Sequence, residues 1–295
     1  MSENIFGEVL TAMVTPFKDN GEVNYEKVRE LANYLLDNGS DGLVVLGTTG
    51  EVPTLNEKEK INILKEVVDE VGDRGTVIAN TGSYSTAESI KMTVEAEKIG
   101  VDGVMAVVPY YNKPPQSGLY NHFYKIAIST ELPVMVYNVP GRTSKNIELE
   151  TVKRLAKIDN IKAIKEASGN LEQVANICAQ TDDDFYVYSG DDSLTLPILS
   201  VGGHGVVSVA AHIVGKEIKE MVSLFKEGEL NKAIELNKKL LTVFNSMFIT
   251  TNPIPVKEAL NMVGMEVGCL RSPLTSLTEN ERKELREALE KGNII

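Results

Sequence analysis

Lys165 is the residue of this chain best suited to covalent chemistry. It ends the run Ile161-Lys162-Ala163-Ile164-Lys165 and leads into Glu166-Ala167-Ser168-Gly169. Burial at a dry strand end penalises the ammonium and favours the neutral amine, the form that attacks carbonyls. Most lysines are exposed, so on residue type alone Lys162 and Lys165 would both be solvated strand ends. Residues elsewhere must decide. Gly47-Thr48-Thr49-Gly50-Glu51 offers successive amides and two hydroxyls, either as a nest for a carboxylate or as an ordinary βα turn. Tyr110, Tyr111 and Tyr137 could be core aromatics or proton carriers. The planar fork of Arg142 suits a substrate acid group and serves equally in a surface ion pair.

Other chemistries lack their residues. The chain has no G-x-x-x-x-G-K-[ST], no G-x-G-x-x-G opening a helix and no G-x-S-x-G. His122, His204 and His212 are scattered, without H-x-H or H-E-x-x-H spacing, which argues against a metal-dependent aldolase. Asp191-Asp192 could hold a cation, but a helix N-cap explains them more simply. Neither a metal nor a cofactor is expected. What remains is a lysine able to form an imine with a carbonyl substrate.

Such a lysine needs a scaffold, and the hydrophobic pattern supplies one. Near-continuous apolar runs lie at Val9 to Val14, Gly42 to Leu46, Thr76 to Asn80, Val104 to Val108, Pro133 to Tyr137, Ile161 to Lys165, Phe185 to Ser189 and Gly205 to Val209. Runs of this kind are parallel strands covered on both faces. Helices between them are announced by the capping boxes Thr54-x-x-Glu57 and Ser85-x-x-Glu88. Val28, Leu31 and Leu35 share one helical face before Gly39, and Ile90, Val94 and Glu97 run on to Gly100. Gly39-Ser40-Asp41-Gly42 is echoed by Gly100-Val101-Asp102-Gly103, two units later. Eight βα units predict an α/β fold, a closed (β/α)8 TIM barrel, over residues 1–224, with an open doubly wound sheet as the weaker option. After about Ile213 the strand signal stops. Lys216 to Gly228, Leu230 to Phe248, Val256 to Val263 and Thr278 to Lys291 read as helices, the last opening on Thr278-x-x-Glu281. Residues 225–295 are expected as a C-terminal helical appendage packed on the barrel. Barrel enzymes build their sites at the carboxyl ends of the strands, where Lys165, Tyr137, Thr48, Thr49 and Val207 all fall. Asp182-Asp183-Asp184 falls at the opposite face as a solvated charge run.

Bulk composition narrows the partners. Over 295 residues, 42 acids against 30 bases give a net charge of -12, and no basic cluster stands apart, which disfavours nucleic acid. Cys178 and Cys269 form no C-x-x-C motif, consistent with a reducing, cytoplasmic setting. The start Met1-Ser2-Glu3-Asn4 lacks the pattern of a signal peptide. Leu194 to Gly215 carries no acid, lysine or arginine, but Pro197 and Gly202-Gly203-His204-Gly205 interrupt it. A buried helix followed by a buried strand is expected there, with no membrane association.

Taken together, Thr11-Ala12-Met13-Val14-Thr15-Pro16-Phe17, G-T-T-G-E at Gly47 to Glu51, Y-N-V-P-G-R-T at Tyr137 to Thr143, K-E-A-S-G at Lys165 to Gly169, S-G-D-D at Ser189 to Asp192 and N-P-I-P-V-K at Asn252 to Lys257 are similar to one family. The chain resembles the pyruvate-dependent class I aldolases and lyases typified by dihydrodipicolinate synthase. The resemblance covers nearly the whole chain, and the ordered set is specific where any single motif is not.

The resemblance implies that Lys165 forms a Schiff base with pyruvate and that Tyr137 donates and accepts the proton beside it. Thr48 and Tyr111 would complete a proton relay, with Tyr111 reaching into a neighbouring subunit's site, which implies a homodimer or homotetramer. Thr49 and Val207 stand where the family binds pyruvate, largely through main-chain groups. Arg142 matches the residue that holds the carboxylate of the second substrate. That substrate would be L-aspartate 4-semialdehyde, and the product 4-hydroxy-tetrahydrodipicolinate, used in making diaminopimelate and lysine. Where lysine-inhibited relatives carry small residues, histidines and an asparagine, this chain has Val52, Pro53, Glu57, Lys60 and Tyr84, while Glu88 and Tyr110 are kept. Weak or absent inhibition by lysine is expected. Two alternatives stay open: a sibling lyase such as N-acetylneuraminate lyase or a 2-keto-3-deoxy sugar acid aldolase, against which Arg142 argues, and a catalytically silent keto-acid-binding barrel.

Overall fold

The computed structural model describes residues 5–295; Met1-Ser2-Glu3-Asn4, on which the signal-peptide reading rested, lies outside them. Eight parallel strands, β1 (Val9–Ala12), β2 (Gly42–Val45), β3 (Thr76–Asn80), β4 (Gly103–Val107), β5 (Val134–Asn138), β6 (Ile161–Glu166), β7 (Tyr186–Ser189) and β8 (Gly205–Ser208), close into a barrel in sequence order, β8 pairing with β1. The helices are α1 (Tyr25–Asp37), α2 (Glu57–Val71), α3 (Thr86–Ile99), α4 (Gln116–Ala127), α5 (Pro140–Thr143), α6 (Leu149–Leu155), α7 (Leu171–Gln180), α8 (Thr195–Ser200), α9 (Ala211–Lys226), α10 (Leu230–Ser246), α11 (Ile254–Met262) and α12 (Glu279–Lys291). This is the (β/α)8 barrel expected, each strand lying within a residue or two of its apolar run.

Strand residues alternate between two apolar clusters, as a pleated backbone requires. Leu10, Val44, Ile78, Met105, Met135 and Val207 fill the barrel interior, and the larger cluster lies between strands and helices. Phe6 plugs the amino-terminal end. A Cβ on Gly103 would stand 2.6 Å from its ring, so glycine there makes room for the plug.

The echoed motif is one device used twice. Gly39 and Gly100 take left-handed φ of 102° and 95° after α1 and α3, a conformation glycine adopts without a Cβ penalty. The aspartates that follow tie neighbouring strands: Asp41 accepts the Val9 amide at 2.9 Å, and Asp102 accepts the Val77 amide at 2.7 Å. Asp41 also accepts from Lys219, fastening α9 to the barrel floor.

Helix starts corrected two expectations. The capping box of α2 is Asn56 with Glu59, not Thr54 with Glu57. Thr54 belongs to a 3-10 turn over Val52–Thr54, two residues short of the cap position, and its hydroxyl donates back to the Glu51 carbonyl at 2.9 Å. Ser85 caps α3 by accepting the Glu88 amide, but its own amide donates to Ser83 at 3.0 Å, so that expected box is only half formed, whereas Thr278 with Glu281 forms the box of α12. The buried residues of α3 are Ser89, Thr93 and Ala96, with Ile90 and Val94 only half-buried. Hydroxyl contacts hold α3 close to β3: Thr81 and Thr93 share a hydrogen bond of 2.7 Å, and the Ser83 amide donates to Ser89 at 2.9 Å.

The chain from Leu194 to Gly215 forms α8, β8 and the start of α9, and no described helix is long and apolar enough to cross a membrane. The division at residue 224 falls two residues before the end of α9, onto which α10 packs, with α12 against α10 and α11. Asp182, Asp183 and Asp184 are exposed, and Asp184 pairs with Lys162 at 2.7 Å.

Candidate active site

At the carboxyl end of the barrel, parallel pairing sets Tyr137 of β5 beside Lys165 of β6, and Asn138 beside Glu166. Alternation turns the first pair inward and the second outward. Outside, Glu166 accepts from Asn138, from Gln173 at 2.9 Å and from the Ser168 amide at 2.8 Å. Asn138 in turn donates to Asn146 at 2.7 Å. This network ties the loop after β5 to the loop after β6, so the inward pair is held from behind.

Inside, Lys165 is 5 % exposed and its Nζ lies 4.4 Å from the centroid of the Tyr137 ring. Burial lowers its pKa to about 8; Asp192 opposes that shift and Arg142 adds to it. At pH 7 about a tenth of such a lysine is neutral, against roughly one in three thousand at the ordinary value. The Tyr137 phenol is pushed up by burial, with Arg142 and a hydrogen-bonding interaction with Thr48 pulling it back. A raised phenol stays protonated at neutral pH and can give up or take a proton in a reaction.

These side chains border a cavity of about 240 Å³, with Thr48, Thr49, Tyr137, Arg142 and Lys165 in its wall. In the Gly47–Glu51 turn, the Gly50 and Glu51 amides donate to the carbonyls of Gly47 (3.0 Å) and Thr48 (3.1 Å). The amides of Thr48 and Thr49 donate to no protein acceptor among the described residues, which leaves them for a ligand anion. Arg142, exposed on α5, spends Nη2 on the Asn252 carbonyl at 3.2 Å and keeps the rest of its fork at the cavity mouth.

Sequence reasoning missed three neighbours. Asn252, within the quoted N-P-I-P-V-K motif, lines the cavity and donates to the Thr49 hydroxyl at 2.9 Å. Gly190 lies against Lys165; a Cβ there would be 3.0 Å from Lys165 Cε and 2.7 Å from Ala167 Cβ. Asp192 is buried and accepts from Ser208 and from the amides of Val209 (3.1 Å) and Ala210 (3.0 Å), fixing the end of β8. Only Asp191 caps, accepting the Ser193 amide at 3.0 Å, so the reading of both aspartates as an N-cap holds for one. Both glycine and aspartate were visible in S-G-D-D, but nothing local marks which of them faces Lys165.

Two expected residues lie apart from the cavity. Val207 is fully buried in the layer beneath, and Val209 reaches the wall instead. Tyr111 is 93 % exposed with a left-handed φ of 71°, and within one chain it reaches none of the reacting groups. Tyr110 lines an adjoining cavity of about 160 Å³ together with Thr48, Tyr137 and Arg142. Its ring meets Tyr84 edge-on at 5.3 Å.

None of the three histidines lines this cavity. Burial lowers all three to about 4. His212 accepts the Val14 amide at 3.1 Å and bonds the Val209 carbonyl at 2.8 Å, while His122 bonds Thr86 at 2.9 Å. Among the described residues no group of three or more His, Cys, Asp or Glu is placed to hold a metal ion.

Residues 5–292 match the model of the dihydrodipicolinate synthetase family. The 4-hydroxy-tetrahydrodipicolinate synthase of Desulforudis audaxviator is 56% identical over 98% of this chain and 99% of its own length. Among solved structures, a dihydrodipicolinate synthase from Bacillus anthracis superposes with a TM-score of 0.95 at 52% identity, covering 97% of this chain and 98% of that one. The synthase of Cyanidioschyzon merolae with lysine bound gives 0.98 at 47% identity, covering 99% and 100%.

Proposed function

The chain is a lyase of the dihydrodipicolinate synthetase family, and on that premise we propose that it condenses pyruvate with L-aspartate 4-semialdehyde through a Schiff base on Lys165. The observation that carries the reading is the buried Lys165 beside Tyr137, lowered to about 8, at the carboxyl end of the barrel.

The pyruvate carboxylate takes the amides and hydroxyls of Thr48 and Thr49, a fixed set of donors that meets the anion without reorganisation. Neutral Lys165 attacks the keto carbon, and the phenol of Tyr137 carries protons so that hydroxide leaves as water. The resulting iminium acidifies the adjacent methyl group, whose proton is taken to give the enamine. Arg142 holds the carboxylate of the second substrate with its free fork, and the enamine carbon bonds to the aldehyde carbon, whose oxygen is protonated. The substrate amine then adds to the imine carbon, closes the ring to 4-hydroxy-tetrahydrodipicolinate and releases Lys165 as an amine.

Tyr111 belongs to this account through a second copy of the chain. A tyrosine 93 % exposed in a left-handed backbone is a conformation that surroundings normally impose. Insertion beside Thr48 and Tyr137 of a neighbouring subunit gives it a role, with a homodimer as the competent unit and a homotetramer as its doubling. The setting is cytoplasmic.

Lysine inhibition is weak or absent in this reading. The cavity of about 280 Å³ lined by Val52, Glu57, Lys60, Glu88 and Lys91 already holds two ammonium groups. Glu57 is paired with Lys91 at 2.8 Å, and Glu95 with Lys98 at 2.7 Å, which leaves Glu88 to face a cationic effector beside Lys60. Product formation from pyruvate and L-aspartate 4-semialdehyde, with and without added lysine, tests both parts. Turnover unaffected by millimolar lysine is expected. Turnover only with a sugar-acid substrate would refute the substrate assignment, and strong inhibition at sub-millimolar lysine would refute the regulatory one.

A further inference from the structure

We infer that the buried ion pair of Glu51 and Lys257 is a positioning device, through which the C-terminal helical region holds Thr48 and Thr49 in place against Tyr137 and Lys165. The inference rests on the site reading above and adds to it a pair of residues that touch no reacting group. Lys257 and Glu51 are 1 % and 2 % exposed, with Nζ and Oε1 2.8 Å apart.

Lys257 spends all three donors on fixed acceptors: Glu51 Oε1, the Thr15 carbonyl at 2.9 Å and the Cys269 carbonyl at 2.6 Å. The other oxygen of Glu51 accepts the Arg271 amide at 2.9 Å. The ion pair therefore joins the turn after β2, the loop after β1 and the chain beyond α11.

The pull reaches the reacting turn through backbone. Glu51 holds a left-handed φ of 54°, which a residue with a side chain keeps only when its surroundings impose it. Its amide donates to the Thr48 carbonyl, so any shift of Glu51 moves Thr48. The same C-terminal segment grips the site at two further points, Asn252 to Thr49 and the Asn252 carbonyl to Arg142. A methionine at 257 would fill the space but would not fix the orientation of the turn. The directionality of the ion pair is its contribution.

The test uses full-length Lys257→Met and Glu51→Gln, each alone and combined with Thr48→Val. It reads the condensation kcat, the borohydride-trapped pyruvate adduct and the unfolding midpoint. For both single variants kcat should fall about 100-fold, the scale set by a misplacement of about 1 Å, while the adduct on Lys165 still forms. Adding Thr48→Val should then cost less than the product of the two separate losses, because part of each passes through the Thr48 hydroxyl. Losses that multiply, or an unchanged kcat, would overturn the inference, whatever happens to the midpoint. Should Lys257→Met not fold, Glu51→Gln carries the comparison, since it keeps one acceptor for Lys257. Wild-type enzyme that turns over without any trapped adduct would instead refute the Schiff-base reading, and the inference would fall with it.

Discussion

Lys165 and Lys257 stand at the same end of the barrel, 5 % and 1 % exposed, yet their surroundings differ in kind. Lys257 has a carboxylate and two carbonyls for its three donors. Lys165 makes no ion pair among the described residues; Asp192 acts on it only through space, its own oxygens held by Ser208, Val209 and Ala210. Burial pulls both pKa values down, and at Lys257 Glu51 opposes it. A lysine that is dry and fully partnered is an anchor. One that is dry and left with a tyrosine ring is held at a cost to stability, which suits the nucleophile we propose.

That contrast breaks first at stability. Lys257→Met should destabilise by about 3–5 kcal/mol, because Glu51 is left as an unpaired buried charge. Lys165→Met should leave stability unchanged or raised, although it abolishes turnover. Chemical denaturation of the two variants reads the difference, and equal destabilisation would remove the distinction.

The next largest effect is in pH. The folded-state pKa of Lys165, about 8, lies below its ordinary value of 10.5. Between those values the unfolded chain binds the extra proton, so the contribution of this group to stability rises with pH. Its cost, on the order of 3 kcal/mol, is fully present below pH 8 and relieved by pH 10.5. Wild type should therefore gain on Lys165→Met across that window in denaturation curves at fixed ionic strength. A constant difference would place the folded pKa near its ordinary value.

Arg142→Ala sharpens the picture at smaller scale. Losing a charged hydrogen-bonding partner worth about 1.5–3 kcal/mol should weaken use of the semialdehyde roughly 10- to 100-fold. Pyruvate adduct formation should be little changed. An equal loss of pyruvate affinity would move Arg142 to the first substrate.

Much of the barrel was legible because its signals are local. Apolar runs gave eight strands, and Thr278 with Glu281 marked α12 from three residues' spacing. Where two such frames overlapped, at Thr54 and Asn56, the winner depended on a 3-10 turn that holds Thr54 two residues short of the cap position. Lys165, Tyr137, Thr48 and Thr49 could be placed at strand ends from sequence, but the partner of Glu51 lies 206 residues away and that of Thr49 lies 203. No spacing rule spans such separations. The same holds for Gly190, whose importance is a close approach to Lys165 across neighbouring strands.

The most direct measurement is borohydride reduction of the enzyme with pyruvate, followed by peptide mass mapping of every lysine. The adduct should sit on Lys165, vanish in Lys165→Met and be absent from Lys257 even in Glu51→Gln. An undiminished adduct mass in Lys165→Met, or modification at Lys257, would contradict the account.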